Sequence, residues 1–97
     1  MKKGNLTFAR LILAMHEATQ TLGFYAQRDT MHDIAELDDL FKECPEDGFT
    51  RPWSLRENGT HLGYGCDFEP VAQYTIRYYA VDANHPYGTW SIEQEEA

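Results

Sequence analysis

DTMHDIAELDDLFKECPEDG, residues 29–48, closes the helical part of the chain and gives way at Phe49 to a different periodicity. Ile34, Leu37, Leu40, Phe41 and Cys44 recur within it at helical spacing and predict a buried arc, and Pro45 stops the helix after about Cys44. Thr30 is the expected N-cap, with Asp33 three residues on completing an imperfect capping box that uses Asp where Glu or Gln is usual.

Working outward, Leu6 to Leu22 reads as an amphipathic helix. Phe8, Leu11, Ile12, Met15, Thr19 and Leu22 share one face, Asn5 or Thr7 supplies a cap, and Gly23 serves as the C′ residue that stops it. Phe24 to Arg28 is then a short connector, so the two helices are expected to form an antiparallel hairpin.

After Phe49 the pattern has period two, with aromatic, β-branched and glycine residues. Phe49 to Arg56 is a strand whose Pro52, unable to donate to a ladder, suggests a sheet edge. Asn58-Gly59 is a type I′ turn dipeptide, so a return strand near Thr60 to Cys66 follows. Tyr74 to Val81 is the clearest strand and is expected to be central, with Tyr74, Ile76, Tyr78 and Ala80 opposite Thr75, Arg77, Tyr79 and Val81. Thr89 to Glu93 is the last strand, with Trp90 and Ile92 on one face, and Glu93 to Ala97 is expected to fray as an acidic tail. These elements predict a single α+β domain over residues 1–97: an N-terminal two-helix hairpin packed on one face of a roughly four-stranded antiparallel sheet.

The charge is concentrated. Residues 29–48 hold eight carboxylates against one base, Lys42, and so carry seven of the formal net charge of −8. That sign opposes direct binding of nucleic acid or an anionic membrane and favours a basic protein surface. The sequence lacks a bilayer-length apolar run, and Arg10, His16 and Glu17 interrupt any secretory h-region. Two cysteines do not make a disulfide framework, so a cytoplasmic location is expected.

Catalytic and metal motifs fail on spacing. His16-Glu-Ala-Thr-Gln20 has Gln where a zinc-protease helix needs its second His. Cys44, His61, Cys66 and His85 are zinc-type ligands without the close pairs that mark zinc sites, and Cys44 at a helix C-terminus is placed where the dipole opposes a thiolate. Gly63-Tyr-Gly65 is neither a dinucleotide loop nor a hydrolase elbow, and the acids lie on a helix rather than in an EF-hand loop. No cofactor is expected. The rival to a binding protein is a small enzyme or metal-binding domain using His16, His61, His85 and the cysteines.

At 100° per residue, His32, Glu36, Asp39 and Glu43 form one ridge beside the apolar arc, while Asp38 and Lys42 pair at i,i+4. Asp39 and Glu43 repel by roughly 0.2–0.5 kcal/mol, and Glu43, Glu46 and Asp47 crowd a helix end that favours cations. Stability therefore does not account for the placement. The ridge and following acids, Glu36, Asp39, Glu43, Glu46 and Asp47, are the expected partner-binding residues. The partner is a basic protein surface, in the sharpest version that of a nucleic-acid-binding enzyme inhibited by mimicry of its substrate; an immunity or antitoxin-like role shares these electrostatics. Tyr64, Tyr74, Tyr78, Tyr79, Tyr87, Trp53 and Trp90 suggest a second surface on the sheet, with Arg77, Tyr79 and Tyr87 as its exposed members and a homodimer as an alternative use. The bland reading of the acidic face is that it only maintains solubility.

Overall fold

The computed structural model describes residues 6–43, 48–79 and 89–95. The order is α1 (Phe8–Ala18), α2 (Phe24–Glu43), β1 (Phe49–Arg56), β2 (Gly59–Leu62), β3 (Ala72–Tyr79) and β4 (Thr89–Gln94). The strands form one antiparallel sheet ordered β2-β1-β3-β4, with α1 over β4 and α2 over β2, which is the expected α+β layering.

The helix-facing layer follows from strand alternation. Register places Trp53 opposite Tyr74 and Leu62, Ile76 opposite Ile92, and Tyr78 opposite Phe49 and Trp90. Against them pack Leu11 and Met15 of α1 and Leu37 of α2, all fully buried. An aromatic cluster joins most elements: the Trp90 ring lies 4.9 Å from Tyr78, 5.1 Å from Phe8, 5.5 Å from Phe49 and 6.5 Å from Phe41, centroid to centroid. Of the sheet aromatics, Trp53, Tyr74, Tyr78 and Trp90 therefore belong to the core, whereas Tyr64 is exposed. Two buried threonines spend their hydroxyls on their own helices, Thr19 on the Met15 and His16 carbonyls and Thr30 on the Ala26 carbonyl at 2.8 Å.

Several boundaries differ from expectation. α1 ends at Ala18 with Thr19 as its C-cap, four residues short of Leu22, while Thr7 caps its start by accepting from the Arg10 amide. Gly23 begins α2 instead of ending α1: its carbonyl accepts the Ala26 and Gln27 amides. The expected connector Phe24 to Arg28 is thus helical, and Thr30 is a buried mid-helix residue, not an N-cap. Helix continuation wins because Ala26, Thr30, Asp33 and Leu37 extend the inward face backwards by two turns.

Pro52 does not mark an edge, because β1 lies between β2 and β3. Its carbonyl accepts from Gly63, so its nitrogen faces the same side, and the one bond proline cannot return falls past the last β1–β2 register pair at Leu62, where the pairing ends. The β1–β2 hairpin turns on Glu57-Asn58, not Asn58-Gly59; Arg56 pairs with Gly59, and without a positive φ at either turn residue it is not type I′. Gly59 opens the strand, and a Cβ there would lie 3.1 Å from both the Asp29 carboxylate and the Arg56 guanidinium. β2 stops at Leu62 instead of Cys66, and Gly63 and Gly65 both take positive φ immediately after it. Glu93 and Gln94 belong to β4, and the Glu95 amide bonds the Gln73 carbonyl, so the expected fraying does not begin at Glu93.

β2 and β3 both run antiparallel to β1, so residues 63–71 must cross β1 to connect them. They cross on the face away from the helices: Phe68 stacks under the Arg56 guanidinium at 4.5 Å and His61 Nε2 lies 3.4 Å from the Tyr64 carbonyl. Ser54 is buried on this face, and among the described residues its hydroxyl has no hydrogen-bond partner.

The α1–α2 junction is docked on the β1–β2 turn. The Gly23 amide donates to the Glu57 carbonyl at 2.9 Å, and a Cβ at Gly23 would lie 2.9 Å from that same oxygen. Gly23→Ala is therefore expected to lower stability by about 1–3 kcal/mol, read as a reduced urea midpoint with unchanged slope.

Candidate functional site

The site is built on α2, and one carboxylate orients that helix. Asp33 Oδ2 accepts from the Trp53 indole Nε1 at 2.9 Å and from the Thr60 hydroxyl, tying α2 to β1 and β2 through a single oxygen. Burial pushes the Asp33 carboxyl above its ordinary range; these two bonds and the nearby His61 oppose the shift, and Asp29 adds to it. One turn earlier, Asp29 Oδ2 accepts the Thr60 amide at 3.3 Å on the outer edge of β2. Both acids are structural, occupied in fixing the helix to the sheet.

With that face inward, the opposite face is settled by the 100° helical step. His32, Glu36, Asp39 and Glu43 are all exposed along one outward ridge. Lys42 Nζ lies 3.0 Å from Asp38, the expected i,i+4 pair, and this contact holds the ammonium above its ordinary pKa. Among the described residues no ion pair involves Glu36, Asp39 or Glu43. Glu46, Asp47 and Tyr87 lie outside the described residues.

Arg77 and Tyr79 occupy the sheet face opposite the helices, remote from the ridge. The Arg77 guanidinium donates to Thr50 Oγ1 at 3.2 Å and lies 5.8 Å from the Tyr79 ring centroid; Arg77 is exposed and Tyr79 half-buried. The two predicted surfaces are thus on opposite sides of the molecule.

The residues of the metal or enzyme alternative are dispersed. His16 is exposed on α1, His61 is half-buried on β2, and the Cys66 thiol, in the crossing loop, bonds the Phe68 carbonyl at 3.1 Å; Cys44 and His85 lie outside the described residues. Among the described residues no three His, Cys, Asp or Glu side chains converge as metal ligands would. Nor is any helix there long and apolar enough to cross a membrane.

The early start of α2 adds Phe24 and Tyr25, expected in a connector, to the helix that already held Met31, and all three are large, apolar and exposed. Their signal was present in the backward continuation of the Ala26, Thr30, Asp33 and Leu37 period. Comparison with protein families, curated proteins and solved structures finds no match to the chain.

The Asp33 geometry carries a signed pH dependence. Because the folded state raises this pKa, it holds the proton more tightly than the unfolded chain, so its contribution to stability is present at acid pH and declines as pH rises through the window between the ordinary and raised values. Asp33→Asn keeps one acceptor oxygen and removes the titration; the stability of the wild type minus that of Asp33→Asn is expected to fall between pH 3 and pH 7 in paired urea titrations. Asp33→Ala abandons both donors and is expected to cost about 1–3 kcal/mol at either pH.

The ridge has the opposite sign. Replacing Glu36, Asp39 and Glu43 by their amides relieves repulsion along the helix and at its C-terminal end, so the triple variant is expected to melt about 1–3 °C above the wild type at low salt. The gain should vanish at high ionic strength in the same calorimetric comparison.

Proposed function

We propose that the protein is a non-catalytic binding protein that sets the outward ridge of α2 against a basic surface of a protein partner. Its sharpest form is an inhibitor occupying the nucleic-acid groove of an enzyme. The observation that supports this reading is the exposure of Glu36, Asp39 and Glu43 along one side of a 20-residue helix, where no described cation pairs with them.

Those carboxylates stand about 4.5 and 6 Å apart along the helix axis, comparable in order with the ~3.4 Å rise per phosphate of one DNA strand. The arrangement raises the encounter rate with a cationic groove and costs the helix some stability. The rigid support is α2 itself, held to two strands through Asp33.

Immobilised protein and its Glu36→Gln, Asp39→Asn, Glu43→Gln variant are to be compared for capture of basic proteins from the source cell. The expected result is a partner retained by the wild type alone, released by about 0.5 M salt and displaced by duplex DNA. Equal retention by the variant would overturn the reading. Retention insensitive to DNA would remove the groove-occupying form and leave the basic docking.

A further inference from the structure

Phe24 is 72% exposed, Tyr25 53% and Met31 64%, all within the first eight residues of α2. They are not scattered. The Phe24 and Tyr25 rings meet edge to face with centroids 5.6 Å apart, and the Arg28 guanidinium lies 4.8 Å from the Tyr25 ring centroid. Single exposed apolar residues are ordinary on protein surfaces, but aromatic, Met and Arg side chains gathered at one end of a helix are the composition of an interface centre.

The patch is continuous with the acidic ridge. Tyr25, His32 and Asp39 follow one another at seven-residue intervals, nearly two helical turns, so they lie on one line along α2, with Glu36 and Glu43 beside it. Phe24 and Met31 repeat the same interval on a second line about 100° round the helix, with Arg28 between the two. From Tyr25 to Glu36 is about 16 Å along the axis, and to Glu43 about 27 Å. The broad side of α2 that spans both lines is therefore apolar around Arg28 at its N-terminal end and anionic along the Tyr25–Asp39 line at the other.

We propose that this face docks a cationic amphipathic segment of the partner. Large apolar side chains of that segment rest on Phe24, Tyr25 and Met31, and Lys or Arg residues about 16–27 Å further along meet Glu36, Asp39 and Glu43. The proposal rests on the basic-partner reading and adds to it an apolar anchor with a fixed offset from the charges. Charge complementarity selects this occupant. A second copy of a chain with formal charge −8 would meet like charge, and an anionic nucleic acid or lipid surface would be repelled. The 20-residue length of α2, about 30 Å, matches a helical segment laid along it.

The test titrates the full chain with three synthetic 20-residue peptides, followed by amide NMR. The first carries two Leu seven residues apart near one end and three Arg in the other half, and is made in both sequence directions. The second has the same composition scrambled, and the third has equal charge without Leu. One direction of the first peptide is expected to bind at least tenfold tighter than the third, moving amides in residues 24–32 and 36–43 together. Phe24→Ser with Met31→Ser should erase that preference, whereas the triple amide variant should weaken every cationic peptide. If the serine variant keeps the wild-type preference, or the scrambled peptide binds as tightly as the patterned one, the anchor is wrong and the ridge reading survives. If the triple amide variant binds all three peptides like the wild type, the ridge reading fails as well. A concentration-dependent dimer in sedimentation that the serine variant abolishes would assign the patch to self-association and overturn the proposal.

Discussion

The Asp33 carboxylate is the contact that sets how α2 sits on the sheet. One of its oxygens receives both the Trp53 indole and the Thr60 hydroxyl, from two different strands, so rotation of the helix about its axis would break two bonds to a half-buried charge. Leaving those donors or that carboxylate unpaired in the interior is costly, whereas sliding apolar side chains over one another is not. Directional bonds thus choose among the rotations that hydrophobic packing alone would permit. Everything said of the outward face depends on that choice.

Around this latch the packing divides into two ends. Toward Trp90, aromatic rings from α1, α2, β1 and β3 meet in contacts that are large in area and tolerant in direction. Toward the β1–β2 turn the approach is closer and less forgiving, with Gly23 against the Glu57 carbonyl and Gly59 against the Asp29 carboxylate. The absence of a Cβ at these two positions lets the helical junction and the edge strand come within hydrogen-bonding distance.

The acids of α2 have two physical fates. Asp29, Asp33 and Asp38 are engaged, with the edge amide of β2, with Trp53 and Thr60, and with Lys42. Glu36, Asp39 and Glu43 stand in solvent along the C-terminal half of α2, where they repel one another and Glu43 meets a helix end that favours cations. The other end of the same helix exposes Phe24, Tyr25 and Met31, large apolar side chains where the C-terminal half exposes carboxylates.

Periodicity made much of this legible. The inward faces of both helices, the alternation of Tyr74 to Tyr79, the Asp38–Lys42 pair and the outward position of Glu36, Asp39 and Glu43 all follow from spacing, because burial selects residue type at each turn or alternate residue. Local rules misplaced Thr30, Gly23, Pro52 and Gly59, and at the last three a partner distant in sequence decided. Thr30 could be helical because its hydroxyl bonds its own backbone, Pro52 could be central because β2 ends beside it, and the two glycines answer to groups more than twenty residues away. The sequence by itself determined the elements and their polar and apolar faces, which are one-dimensional consequences of pattern. That Asp33 is a latch and not a cap, and that Gly23 seats the helical junction against the Glu57 carbonyl, was left to the folded chain, because hydrogen-bond direction and close backbone approach exist only once distant segments meet.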